Sequence, residues 1–284
     1  MNKIIILGHE NPDVDSIVSG YLLEKILNKK GYKVEYIIDA KEIEKETLTL
    51  CINYGIDPTK HIKSIDFSNK NNKYILVDHN ERIIDGEIIC IIDHHPTNKK
   101  FELKNYYNEK VSSTACFIAK NNEILLDEFD LRLAILATLV DTASFHSTKS
   151  REEDKEWVFY LCNKYNFNYD ELYQDGLCLT NLDNILDASI NGLKKYNINN
   201  KLVESSYIQV NDIDDVIVDK IIDILNKRLL DKGLYAFVFI IHNMKEFKTM
   251  YYLIRKDNIF KKYYDKYTSR GNTIIPEIEK NLTN

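Results

Sequence analysis

Three short runs in this chain, Ile4-Ile5-Ile6-Leu7, Tyr74-Ile75-Leu76-Val77 and Ile88 to Ile92, are apolar at every position, and each ends abruptly in polar residues. A strand without polar alternation has both faces buried, the condition of a parallel sheet covered by helices. The intervening sequence agrees. Tyr21, Leu22, Leu23, Ile26 and Leu27 recur at helical spacing, Val34 to Ile38 reads as a further strand, and Ile43 to Tyr54 reads as a helix. From Ser113 onward the periodicity is helical through Phe117, Leu125, Leu131 to Val140 and Trp157 to Leu161. This pattern predicts an α/β domain built on a doubly wound, mostly parallel sheet and closed by helices.

The 284 residues exceed one typical domain, and 44% hydrophobic with 29% charged residues is ample material for packed cores. Asp175 to Asn191 reads as a connector. Beyond it Val203 to Val210, Leu234 to Ile241 and Thr249 to Ile254 read as strands, and Val216 to Leu230 as an amphipathic helix. The expected organisation is a domain over 1–184, a linker over 185–191 and a smaller C-terminal α/β domain over 192–284, with the active site in the cleft between the two. A net charge of −6 argues against a broad basic surface for long nucleic acid, while leaving room for a local cationic pocket. The five cysteines are scattered without a C-x-x-C pair, so neither a disulfide framework nor a thiolate zinc site is indicated. The apolar N-terminal run is too short for a signal-peptide core, and Leu133 to Val140 is too short to span a bilayer. A cytoplasmic protein is expected.

The chemistry gathers where the apolar runs stop. Gly8-His9-Glu10-Asn11-Pro12-Asp13-Val14-Asp15-Ser16 follows the first, Asp78-His79-Asn80-Glu81 the next, and Asp93-His94-His95-Pro96 the third. Open α/β sheets bind ligands just beyond the carboxyl ends of their strands, so these groups converge. An Asp at such a place often only caps a helix, but one carboxylate suffices for a cap. Asp141 is different: it ends the apolar stretch Leu139-Val140, where the helix dipole disfavours an acid and burial demands a charged partner. Carboxylates and imidazoles without thiolate suit Mn²⁺, Mg²⁺ or Co²⁺, and six ligands suit two ions better than one.

The elements G-H-x-N-P-D-x-D-S, V-D-H-N-E, D-H-H and V-D-T, in this order, resemble the DHH phosphoesterase superfamily. Within it the chain is similar to the manganese-dependent family II inorganic pyrophosphatases, whose second domain is of the DHHA2 type. Thr268-Ser269-Arg270 followed by Ile274-Ile275-Pro276 is similar to that family's C-terminal signature. The resemblance implies two Mn²⁺ ions, with Co²⁺ or Mg²⁺ as alternatives: His9 and Asp13 on one, Asp15, His94 and Asp141 on the other, Asp78 bridging. It implies that His95, Lys194 and Arg270 contact substrate, that water activated by both ions attacks phosphorus, and that the protein forms a homodimer through the sheet edge of the first domain. Two expected lysines are replaced by Gly271 and Asn272, and Pro96 stands where the family has a basic residue. Each lost charge-assisted contact removes roughly 1.5–3 kcal/mol. Lys99, Lys100 and Lys149 are the nearby candidates for compensation. The expected function is hydrolysis of pyrophosphate to two phosphates. The alternatives are an exopolyphosphatase, a phosphoesterase for a less charged ester or nucleotide, and, more remotely, a non-catalytic metal-binding regulator.

Overall fold

The computed structural model describes residues 3–80, 82–95 and 103–282. By contacts the chain divides into two compact units, residues 1–145 with 149–176, and residues 146–148 with 177–284.

The first unit runs β1 (Ile4–Leu7), α1 (Val14–Lys29), β2 (Val34–Ile37), α2 (Lys45–Asn53), β3 (Lys73–Val77), β4 (Glu87–Asp93), β5 (Tyr106–Asn108), α3 (Thr114–Lys120), α4 (Glu128–Thr142), α5 (Glu152–Tyr165) and α6 (Tyr169–Gly176). Its five strands are ordered β2-β1-β3-β4-β5, and every pairing is parallel. The expected parallel α/β sheet is therefore present, with β5 as an added edge strand. Ile6, Ile75 and Val77 pack into a large core with Ile17, Leu22, Ala115, Leu131, Ile135 and Leu161 from the helices. The opposite face holds a smaller cluster of Ile5, Leu7, Tyr74, Leu76 and Ile91, covered by Ile65, Phe67 and Ile84. Alternate residues of β1 and β3 thus serve two cores, which is why neither strand carries a polar position beyond Lys73 at the start of β3. Chain order reverses between β1 and β3, and the crevice at such a switch point is where open parallel sheets bind ligands.

The second unit contains α7 (Ile185–Ser189), β6 (Lys194–Ile198), β7 (Lys201–Val210), α8 (Asp215–Asp231), β8 (Ala236–Asn243), β9 (Lys248–Arg255), β10 (Asn258–Tyr264) and α9 (Ile275–Leu282). The sheet order is β10-β9-β8-β7-β6. Only β7 and β8 are parallel, joined by α8, while the remaining pairs are antiparallel. Val218, Ile221, Leu225 and Leu229 of α8 pack on one face with Phe237 and Phe239. Ile275 and Ile278 of α9 cover the other, against Val238, Ile240 and Tyr251. Residues 185–191, read from the sequence as connector, lie in this unit and contain α7. No helix among the described residues is long and apolar enough to cross a membrane.

Candidate metal centre

The loop from β1 to α1 is shaped by Gly8. Ser16 Oγ accepts the His9 backbone N–H at 3.2 Å, and a Cβ on Gly8 would stand 2.2 Å from that oxygen, so only glycine lets the turn close. Arg82 ties the same loop down, donating to the Gly8 carbonyl (3.1 Å) and to Asp39 (2.6 Å). Asp13 answers the question its position raised by doing two things. Its Oδ1 caps α1 by accepting the Ser16 N–H at 3.0 Å, while Oδ2 lies 3.4 Å from His9 Nε2. Asp15, two residues further, is buried and accepts the N–H groups of Thr114 (2.8 Å) and Ala115 (2.9 Å) at the start of α3. The positive end of that helix offsets part of the burial of a carboxylate.

Asp78 is the centre of the arrangement. It follows β3 with φ 61°, a left-handed conformation that a non-glycine residue adopts only when its surroundings enforce it, and such residues gather at functional sites. Thr114 Oγ1 donates to its Oδ1 at 3.1 Å. His9 Nε2 stands 3.3 Å from Oδ2 and His94 Nε2 stands 3.4 Å from Oδ1. His94 Nδ1 faces the Val111 carbonyl at 3.3 Å, which fixes the proton there and turns Nε2 inward. That nitrogen lies 3.7 Å from Asp15, 3.4 Å from Asp78 and 3.5 Å from Asp141 Oδ2. His95 is 39% exposed, and its Nδ1 is held by Asp93 Oδ1 at 2.9 Å. Asp93 also accepts both histidine backbone N–H groups and the Asn80 amide, so it organises the pair without facing the cluster itself.

Three groups of ligand atoms lie within mutual reach: His9, Asp13 and Asp78; Asp15, His94 and Asp141; Asp78, His94 and His95. The structure thus brings together all seven residues that the sequence pointed to in the first unit. Burial disfavours charge here, yet His9 and His94 hold Asp78 well below the usual carboxylate range. Against the same burial, Asp78 and Asp141 raise His94 to about 10. Asp15 is pushed up by burial and by the charge of Asp78. Among the described residues, Asp78 Oδ2, His94 Nε2 and Asp141 Oδ2 are buried and take no hydrogen bond. His94 Nε2 and Asp141 Oδ2 face each other at 3.5 Å while Asp78 Oδ2 lies 3.3 Å from His9 Nε2, and orphaned atoms of oxygen and imidazole type so placed are what divalent cations would satisfy.

The two predicted cations, Lys194 and Arg270, both lie in the second unit. Lys194 is exposed on β6, and Arg270 begins a π-helical turn, Arg270–Ile274, from which it donates to the carbonyl of Gly192 and lies 5.1 Å from the Tyr207 ring. A side chain at Gly271 would meet open space, so packing does not forbid the lysine expected there. Pro96, Lys99 and Lys100 lie outside the described residues. Sequence reasoning missed Thr114, Ala115 and Arg82 as supports of the cluster. The Ser112-Ser113-Thr114 run, with Ser113 capping α3, was the available signal for the first two.

A parallel sheet with clustered carboxylates and imidazoles beyond the ends of its strands defines a metal-binding class of α/β protein. Residues 3–142 match the DHH family, N-terminal domain. A Listeria innocua protein named a probable manganese-dependent inorganic pyrophosphatase is 27% identical over 265 residues, 86% of this chain and 83% of the relative. A Shouchella clausii protein of the same name is 29% identical over 265 residues, covering 87% and 83%. A Methanococcus jannaschii crystal structure assigned to the family II inorganic pyrophosphatases superposes with a TM-score of 0.71 over 99% of this chain and 100% of its own, at 22% identity, a likeness of fold.

Proposed function

We propose that this chain is a manganese-dependent inorganic pyrophosphatase that hydrolyses pyrophosphate to two phosphates. The observation that carries the reading is the sharing of Asp78 between ligand groups, with its unsatisfied Oδ2 toward His9 and its Oδ1 toward His94. One carboxylate serving two ions is the minimal bridge of a two-metal phosphoryl-transfer site. His9, Asp13 and Asp78 would hold one ion; Asp15, His94, Asp141 and Asp78 would hold the other. When bound, the two ions supply Lewis acidity at the phosphoryl oxygens and lower the pKa of water at neutral pH.

The protein's own groups do the remaining work. Val111 fixes the tautomer of His94, the α3 backbone orients Asp15, and Asp93 orients His95, whose exposed ring contacts substrate in this reading. Asp78 and His95 are the residues on which the chemical step depends. Lys194 and Arg270 serve as second-unit phosphate contacts, and the hydrogen bond from Arg270 to Gly192, two residues before Lys194, supports treating them together. The same reading makes the protein cytoplasmic, with its five cysteines reduced, independent of long nucleic acid, and dimeric through an edge of the first sheet, where β2 and β5 lie. The test is phosphate release by purified protein with Mn²⁺, with pyrophosphate, tripolyphosphate, long-chain polyphosphate and a phosphodiester in parallel. Preferential pyrophosphate turnover supports the reading, and turnover confined to another member of the panel refutes it.

A further inference from the structure

After α4 the chain enters three consecutive left-handed residues, Ala143 (φ 48°), Ser144 (φ 52°) and Phe145 (φ 68°). The turn is pinned by Ser144 Oγ donating to the Tyr173 carbonyl (2.6 Å) and by the Phe145 N–H donating to Thr142 Oγ1 (3.0 Å). Its effect is to return the chain toward the helix end, so that Lys149, eight residues after Asp141, donates from Nζ to Asp141 Oδ1. Strain of this kind persists only where the fold enforces it, and here it places an ammonium at the edge of the carboxylate cluster.

Lys149 takes one oxygen of Asp141 and leaves the other. Asp141 Oδ2 remains without a hydrogen bond, 3.5 Å from His94 Nε2, so the ion pair and the proposed metal ligation use different oxygens. The lysine side chain is 27% exposed. A lysine ammonium is charged at neutral pH. The four carboxylates Asp13, Asp15, Asp78 and Asp141 are matched in charge by two divalent ions. A loaded centre is then close to neutral without Lys149 and carries a surplus positive charge with it, and an anhydride with several negative charges responds to that surplus. The surplus also stands in a chain that has Gly271 and Asn272 in place of lysines.

Resting on the pyrophosphatase reading, we propose that Lys149 binds a phosphate oxygen of the substrate, so that the first unit supplies from beside its metal ligands a cation for the anhydride. The simpler role, a counter-ion for Asp141, makes different predictions for metal and for substrate. A counter-ion that only positions Asp141 acts on Mn²⁺ affinity. A phosphate ligand acts on the anhydride while Mn²⁺ affinity is kept, or rises as a competing cation leaves Asp141.

The experiment uses the full chain loaded with Mn²⁺ and two probes: Mn²⁺ itself, by titration calorimetry of the metal-free protein, and imidodiphosphate, a pyrophosphate analogue with a P–N–P bridge, by titration of the loaded protein. Lys149→Met is expected to weaken imidodiphosphate by about 10- to 100-fold with Mn²⁺ affinity unchanged or tighter, and Lys149→Arg to retain most of the binding. Retained Mn²⁺ affinity in Lys149→Met shows at the same time that the centre is folded. Parental imidodiphosphate affinity in Lys149→Met, or a loss matched by an equal loss of Mn²⁺ affinity, overturns the proposal. If the parent neither binds imidodiphosphate nor releases phosphate from pyrophosphate, the reading of function fails and this proposal with it.

Discussion

Replacing Asp78 by Asn isolates the charge of the shared carboxylate. Asparagine has the same size and is among the residues that tolerate a left-handed backbone, so φ 61° is kept, and Thr114 Oγ1 can still donate to Oδ1. What is lost is the anion on the oxygen that lies without a hydrogen bond beside His9. An ion that binds only the folded state at one hundred times its dissociation constant stabilises that state by about 2.7 kcal/mol. Removing one charge-assisted contact of roughly 1.5–3 kcal/mol weakens binding about 10- to 100-fold. At the same Mn²⁺ concentration the increment per ion then falls to between about 1.4 and 0.4 kcal/mol. Because both ions use Asp78, both increments shrink. Urea unfolding with and without Mn²⁺, followed by the fluorescence of Trp157 on α5, reads the difference directly, since metal-free stability cancels. Turnover should fall more than 100-fold. A variant that keeps the full Mn²⁺ increment and parental turnover would refute the assignment of Asp78 as a bridge.

Two further outcomes follow from the packing. His242 is buried against the Tyr267 ring at 4.4 Å, with Nδ1 3.0 Å from Thr249 Oγ1, and burial, then Arg270, lowers its pKa to about 3. The unfolded chain takes up this proton near pH 6.5 and the folded chain does not, so stability is full above that pH and is lost on acidification toward 3. Between pH 7 and 5 the loss is about 2 kcal/mol, and His242→Gln should show a correspondingly smaller pH dependence in urea unfolding. Asp154 is buried, accepts the Ser112 N–H at 2.7 Å and pairs with Lys120 at 2.8 Å, and these partners lower its pKa against the opposing effect of burial. Its stabilisation is complete above the ordinary carboxylate pKa and disappears as pH falls through its lower folded value. Asp154→Asn should therefore destabilise the protein at pH 7 by about 1–3 kcal/mol in urea unfolding. An unchanged midpoint would show that the Ser112 anchor contributes nothing.

The strands that bear the site were legible because β1, β3 and β4 carry apolar residues toward two cores, and their C-terminal ends converge by topology alone. The strands that were not legible are edges. β10 has Ile259, Phe260 and Tyr263 exposed alongside Lys261 and Lys262, β6 opens with Lys194-Lys195, and β5 is three residues long, so none shows a buried run. Helices α6, α7 and α9 are each eight residues or fewer, too short for a clear periodic signal. At the site, side chains with their own chemistry, from His9 to Asp141, could be read in order. The groups that hold them were harder to read, because the N–H groups of Thr114 and Ala115 are backbone, Arg82 reaches its partners only through the tertiary fold, and Lys149, a candidate cation by sequence, could not be placed on Asp141. Asp13 shows why cap and ligand were hard to separate: it has two oxygens and uses one for each.

The most direct measurement is anomalous diffraction at the manganese edge from crystals of the full chain grown with Mn²⁺. The account predicts two peaks roughly 3.5–4 Å apart, one against His9 and Asp13, the other against Asp15, His94 and Asp141, and both in contact with Asp78. A single peak, or two peaks without a shared Asp78, would contradict it.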